Sequence, residues 1–400
     1  MFVAVLSLAA CSSNASTAPT SAPGTPATTT PAPASSASGA TVAPTDVATT
    51  EPATTEPATT GPATTMPAST EPATTEPAST EPPTTVAAAD VAAAPSRACG
   101  TTVNAAGETT NPFTGAGEAG TYILHLPPAV AGGGPLPLVL DLHGYSEPAA
   151  VQILQSGLTT LGDTAGFVTA LPQVDRPVPL WHSSVGSDDS KFIGALLDQI
   201  EATVCIDTNR EYVTGLSNGA FEASIVACDL SDRIAAVAPV AGIQAPDDCK
   251  PTRAVPVIAF HGTADTFVPY TGGLGSSVAS LPSADGTGTI GTIGTIGTGP
   301  PSSDPVSSGP SVPDRASTWA VRNGCGASPT EETVATDVTL LRYDCPAGAE
   351  VELYRVEGGG HAWPGSAFSV QIASVVGKTT MSIDATKLIW EFFTAHPLRR

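Results

Sequence analysis

Glu211-Tyr-Val-Thr-Gly-Leu-Ser-Asn-Gly-Ala220 is the stretch that decides the fold. Tyr212 to Thr214 reads as a short strand, residues 215–219 as a turn, and a helix begins near Ala220. A serine at the point of a sharp strand-to-helix turn holds its hydroxyl out of the sheet, and the flanking glycines allow the close backbone contacts that so tight a turn needs. Ser217 is therefore the candidate nucleophile. Gly-x-Ser-x-Gly is common in a chain this rich in Gly and Ser, so its surroundings have to carry the argument.

Upstream, 121–125 is strand-like and 136–142 is a near-continuous apolar run of the kind found in parallel strands buried on both faces. A helix is expected from Ala149 to about Thr160, a strand over 166–171, and a helix over 192–204. Downstream, 234–240 and 254–260 repeat the buried-strand pattern, a helix spans 311–319 with Asp314 near its start, strands fall at 338–341 and 351–356, and an amphipathic helix closes the chain at about 383–394. Strand and helix in alternation predict an α/β fold with a mostly parallel central sheet flanked by helices.

A serine hydroxyl needs a base within hydrogen-bond reach, oriented by a third group. Only six histidines are present. His125 lies in a strand, His396 at the end of the chain, His261 beside the expected acid, His143 in the loop after an early strand and His182 in a loop upstream of the nucleophile. His361 remains, in a glycine-rich loop after a late strand. Asp265 ends the segment His261-Gly-Thr-Ala-Asp265 and is the preferred acid, while Asp229 and Asp232 compete less well because they follow the nucleophile too closely. The chain order Ser, Asp, His is that of the α/β-hydrolases. The oxyanion would be held by the backbone N–H of Asn218, after the nucleophile, and of Tyr145, in the loop after an early strand. Activity should fall as the histidine base protonates.

The rest of the chain speaks of location. Among 400 residues, 37 are acidic and 15 basic, a formal net charge of -22, which repels nucleic acid and leaves no basic stripe to bind it. Residues 12–96 are nearly all Ala, Thr, Pro and Ser, with a five-residue Glu-Pro-Ala-Thr-Thr repeat from Glu51, and read as a disordered stalk. Before it, the apolar run 1–11 ends in Leu8-Ala-Ala-Cys11, which resembles a bacterial lipobox and makes Cys11 a lipidation site, so membrane association is expected only through a lipid anchor. The other six of the seven cysteines fit three disulfides in an oxidising exterior. Fifteen pairings are possible. Cys325 with Cys345 and Cys228 with Cys249 are taken as local pairs, leaving Cys99 with Cys205. No metal or cofactor is expected, since no Cys-x-x-Cys spacing occurs. The catalytic domain is placed at 97–397, with a low-complexity insertion at 273–313 read as disordered rather than as a lid, because its Gly-Thr-Ile triplets offer little bulk to pack.

Leu142-His-Gly-Tyr145, the Trp181 loop, Thr214 to Ala220, His261 to Asp265 with Val268-Pro-Tyr270, Trp319 to Cys325, and Gly358-Gly-Gly-His-Ala-Trp-Pro364 together resemble the polyhydroxybutyrate depolymerase and feruloyl esterase family. These are extracellular α/β-hydrolases related to carbohydrate esterases. The resemblance covers most of 120–272 and 312–395. It implies Ser217 as nucleophile, Asp265 as orienting acid, His361 as base, and His143, Trp181 and Trp363 beside the substrate. The substrate would be a polyester, an oligomer or a plant cell-wall ester, handled by a monomer. Two departures stand out: many relatives carry Cys and then Gln where this chain has Tyr145-Ser146-Glu147, and the insertion after Asp265 is long. The rival readings are a serine peptidase and an inactive surface-tethered binding module.

Overall fold

A computed structural model describes residues 91–293 and 309–399. Cys11 and all of the expected stalk up to residue 90 lie outside the described residues, as does 294–308 of the expected insertion. Everything below concerns the folded unit within residues 80–400.

Its strands are β1 (Gly107–Gly115), β2 (Glu118–Leu126), β3 (Leu136–Leu142), β4 (Val168–Val174), β5 (Ile206–Leu216), β6 (Ala236–Val240), β7 (Val257–Gly262), β8 (Thr330–Ala335), β9 (Val338–Arg342) and β10 (Val351–Val356). Its helices are α1 (Ala149–Ser156), α2 (Leu158–Ala165), α3 (Asp188–Thr203), α4 (Asn218–Asp229), α5 (Ile290–Ile293), α6 (Val312–Arg322), α7 (Ala367–Gln371), α8 (Ala373–Val376) and α9 (Ala385–Ala395). All ten strands form one sheet in the order β1-β2-β4-β3-β5-β6-β7-β10-β9-β8. The centre, β4 to β10, is parallel, and the antiparallel pairs lie at the two edges.

Alternation along the central strands sorts their side chains into two cores. On β5, Val213 packs with Phe192, Leu196 and Trp319 of α3 and α6, while its neighbour Tyr212 points to the other face and stacks on Phe393 of α9 with ring centroids 4.6 Å apart. Leu138, Leu140 and Leu142 on β3 join the first core and Val139 the second. A strand covered on both faces has no polar side to show, which is why 136–142 and 236–240 are apolar enough to be read as buried strands.

Three expectations are corrected. The helix expected over 149–160 is two helices, because Gly157 sits between them in the left-handed region (φ 64°) and breaks the first. The stalk does not run to residue 96, since 91–96 already belongs to the folded unit. Ala94 N–H donates to Asp207 Oδ1 (2.8 Å), Ser96 N–H to the Ile206 carbonyl (2.8 Å), Asn209 Nδ2 to the Ala92 carbonyl (2.9 Å), and Arg210 Nη2 to the Val91 carbonyl (3.1 Å). The described part of the insertion is also ordered. It holds a 3-10 turn at Ser276–Ser280, a bridge between Pro282 and Thr289, and the single turn of α5. Asp285 supplies what the triplets lack, its carboxylate accepting from Ser283 Oγ, Thr287 N–H and Thr287 Oγ1 to close a polar turn.

The three disulfides are those expected, Cys99–Cys205, Cys228–Cys249 and Cys325–Cys345. Among the described residues no helix is long and apolar enough to cross a membrane.

Candidate active site

The C-terminal ends of β5, β7 and β10 bring the expected catalytic residues to one edge of the sheet. Ser217 follows β5 directly with φ 57° and ψ -114°, a conformation a side chain rarely takes. Its backbone is held on both sides, N–H to the Val240 carbonyl (2.9 Å) and carbonyl to Phe221 N–H (3.0 Å). The glycines around it are obligatory. A Cβ on Gly219 would stand 2.1 Å from the Leu142 carbonyl oxygen, and one on Gly215 2.6 Å from the backbone of Gly219. Strain that a fixed surrounding maintains is the mark of a working turn.

His361 sits on the loop after β10, which lies so close over the end of β7 that a Cβ on Gly262 would be 2.2 Å from the Gly359 carbonyl oxygen. Its Nδ1 bonds Asp265 Oδ2 at 2.7 Å, while Asp265 Oδ1 accepts from Phe267 N–H (2.8 Å) and Val268 N–H (2.9 Å). Burial alone would raise the Asp265 pKa, yet the charge of His361 and the hydrogen bonds of His261 and His361 outweigh it and hold the carboxyl well below the usual range. His261 was set aside as a base, and its Nε2 bonds the Val268 carbonyl (2.8 Å) and lies 3.4 Å from Asp265 Oδ2, supporting the acid. The competing acids are engaged elsewhere. Asp229 Oδ2 accepts from Gly186 N–H and Ser190 Oγ at the start of α3, and Asp232 lies near Arg253. Among the described residues the Ser217 hydroxyl takes no hydrogen bond, as is common before a substrate is bound.

With this arrangement in place, similarity to known proteins can be weighed. No family model matches the chain. Feruloyl esterase B of Piromyces equi is 27% identical over 251 residues, which are 60% of this chain and 42% of that protein. NocK of Nocardia uniformis subsp. tsuyamanensis, an esterase by name, is 28% identical over 302 residues, 69% of this chain and 80% of its own length. Poly(3-hydroxyalkanoate) depolymerase C of Paucimonas lemoignei is 35% identical over 115 residues, 26% of this chain and 28% of the depolymerase. The chain is similar in sequence to these esterases, and its sheet is that of an α/β fold. It spans less than half the length of feruloyl esterase B.

The residues expected beside the substrate are buried in the fold. Trp363 is fully buried in the second core, with its Nε1 donating to Thr386 Oγ1 (3.0 Å), so it has no surface to offer a ligand. Trp181 is 3% exposed. Its ring lies against His143 (centroids 4.9 Å apart) and its Nε1 donates to the His143 carbonyl (3.0 Å). The Asn218 side chain clamps the same residue, accepting from Trp181 N–H (2.6 Å) and donating to the Trp181 carbonyl (3.0 Å). His143 is wholly buried and its Nδ1 bonds the Gly144 carbonyl (2.8 Å), so that nitrogen carries the proton. Burial lowers its pKa to about 4 and keeps it neutral. The family resemblance implies a substrate role for these residues, but a residue's type does not say which face it turns inward.

The loop 144–147 contributes more than the sequence suggested. Ser146 has φ 58°, Glu147 N–H donates to the Gly144 carbonyl (3.3 Å), and Glu147 Oε2 accepts from Gly144 N–H (3.0 Å). Burial raises the Glu147 carboxyl to about 7, and it is close enough to His361 for their charges to interact. Tyr145 reaches the ordered part of the insertion, its hydroxyl donating to the Pro282 carbonyl (2.9 Å). Among the described residues no cluster of His, Cys, Asp and Glu could hold a metal ion.

Proposed function

We propose that the folded unit is an exported serine ester hydrolase acting through Ser217, His361 and Asp265. The observation that carries this reading is a strained serine turn at the C-terminal end of β5 together with a buried histidine–carboxylate pair at the C-terminal ends of the parallel strands β7 and β10. With its Nδ1–H given to Asp265, His361 is left with an Nε2 lone pair to take the Ser217 proton. The alkoxide adds to the ester carbonyl, and the new oxyanion is held by the amides of Asn218, at the open start of α4, and Tyr145. The imidazolium then protonates the departing alcohol. Water, activated by the same histidine, releases the acyl group and restores the serine.

The names of the relatives favour feruloyl, acetylated-sugar or hydroxyalkanoate esters as substrates. Three disulfides favour an oxidising location, consistent with export and with anchoring through Cys11. The test is a panel of p-nitrophenyl butyrate, methyl ferulate, acetylated xylan and a 3-hydroxybutyrate oligomer, offered to the full chain and to Ser217→Ala. Turnover that disappears in the variant supports the reading, and the preferred ester names the subclass. A folded wild type that turns over none of them and resists a fluorophosphonate probe is a binding module instead.

A further inference from the structure

The four amides of 144–147 stand in the loop from which an oxyanion donor must come, and three of them are committed. Gly144 N–H goes to Glu147 Oε2 (3.0 Å), Ser146 N–H to the Pro179 carbonyl (2.7 Å), and Glu147 N–H to the Gly144 carbonyl (3.3 Å). Among the described residues Tyr145 N–H alone has no acceptor. Two of these three bonds are backbone to backbone, one within the turn and one to the loop at Pro179. The third depends on a side chain. The fit there is close, since a Cβ on Gly144 would lie 2.8 Å from Glu147 Oε2.

We propose that Glu147 is a positioning residue for ester hydrolysis, which occupies the Gly144 amide and so fixes Tyr145 N–H as the oxyanion donor of the loop. The inference rests on the ester-hydrolase reading of the site. Without the carboxyl, the Gly144 amide is freed at the same edge of the sheet and the left-handed turn at Ser146 loses one of its ties. The Tyr145 amide then wanders relative to a developing oxyanion, and such a donor contributes only when it is already in place. What Glu147 must supply is an acceptor, not a charge. A protonated carboxyl keeps a carbonyl oxygen for Gly144 N–H, and so does a glutamine amide.

The contribution is made in the transition state, so it belongs in kcat rather than KM. The experiment is steady-state hydrolysis of p-nitrophenyl butyrate by the full chain, wild type beside Glu147→Ala and Glu147→Gln, with melting temperatures for all three. The expected result is a loss of about 10- to 100-fold in kcat for the alanine variant with KM little changed. The glutamine variant should stay within about threefold of wild type, because an amide oxygen replaces the acceptor. If Glu147→Ala keeps wild-type kcat, or Glu147→Gln falls as far as the alanine variant at wild-type stability, the positioning role is wrong while the hydrolase reading stands. If wild type itself shows no turnover and no labelling of Ser217, both fall together. Should the alanine variant fail to fold, the glutamine comparison still decides, since wild-type kcat supports the acceptor argument and a large loss overturns it.

Discussion

Replacing Ser217 by glycine should make the protein more stable than replacing it by alanine, the reverse of the usual order. Both variants remove the hydroxyl, so they differ only in the Cβ. At φ 57° and ψ -114° a Cβ is strained, and the backbone cannot relax because Ser217 N–H and carbonyl are tied to Val240 and Phe221. Such a conformation costs a residue with a side chain about 1–3 kcal/mol. Glycine escapes that cost but loses about 0.5–1 kcal/mol to alanine through the freedom of its unfolded chain. The balance leaves Ser217→Gly ahead of Ser217→Ala by about 1 kcal/mol. Equilibrium urea unfolding, followed by the emission of the buried Trp319 and Trp363, measures the difference. With a slope of about 3 kcal/mol/M it appears as a midpoint shift of about 0.3 M. Alanine ahead of glycine by about 0.5–1 kcal/mol, as at an ordinary position, would refute the claim that this turn stores strain. Both variants should lack esterase activity.

Asp265→Asn should lower kcat by about 10^4-fold while the chain stays folded, because the His361 ring loses the acceptor that fixes its proton on Nδ1; a loss below tenfold would remove Asp265 from the machinery. The same carboxyl is depressed in the folded state, so its stabilising contribution is present above its unfolded pKa and disappears as pH falls through the folded one; the gap in melting temperature between wild type and Asp265→Asn should narrow on acidification. Asp141 works in the opposite sense, since burial raises it to about 7 despite bonds from Ser156 and Gln152. Its protonated form favours the folded state, so stability should fall from about pH 4 to about pH 7, and Asp141→Asn should flatten that slope in a series of melts. Removing the Cys99–Cys205 disulfide, which closes a separation of 106 residues, should cost about 5 kcal/mol, against about 3 kcal/mol for the separation of 20 between Cys325 and Cys345. Paired serine variants and urea unfolding compare them, and equal costs would contradict loop closure as the source.

The sequence betrayed those parts of the molecule whose local chemistry has only one use. The apolar runs of β3 and β6 fit strands buried on both faces, and the glycines beside Ser217 serve a turn in which no Cβ fits. The edge strands escaped notice for the converse reason. β1 (Gly-Glu-Thr-Thr-Asn-Pro-Phe-Thr-Gly) and β8 (Thr-Glu-Glu-Thr-Val-Ala) are largely exposed and carry no alternation, and backbone pairing with a neighbour leaves no trace in side-chain pattern. β5 was seen only from Tyr212, because its first half is Ile-Asp-Thr-Asn-Arg, whose polar side chains bond the incoming segment 91–96. Within the site, residue type and chain order single out Ser217, Asp265 and His361, the last two of which the structure pairs. They did not suffice for Glu147 or His261, whose parts depend on which amide or carboxylate lies opposite once the loops have closed.

The same β5 relates the entrance of the chain to the site. Val91 to Ser96 is bonded to the first residues of β5, and Cys99 is joined to Cys205 just before that strand begins. Ser217 follows its last residue, 11 residues further on. At about 3.3 Å per residue that places the first residue of β5 roughly 36 Å from the nucleophile, at the other end of the strand, with the antiparallel segment 91–96 running along it from Arg210 to Ile206. Cutting the Cys99–Cys205 link should accordingly loosen residues 91–98 in hydrogen exchange while leaving kcat on p-nitrophenyl butyrate unchanged. A fall in kcat would mean that the entry segment supports the site through the strand, and the two ends of β5 are not independent.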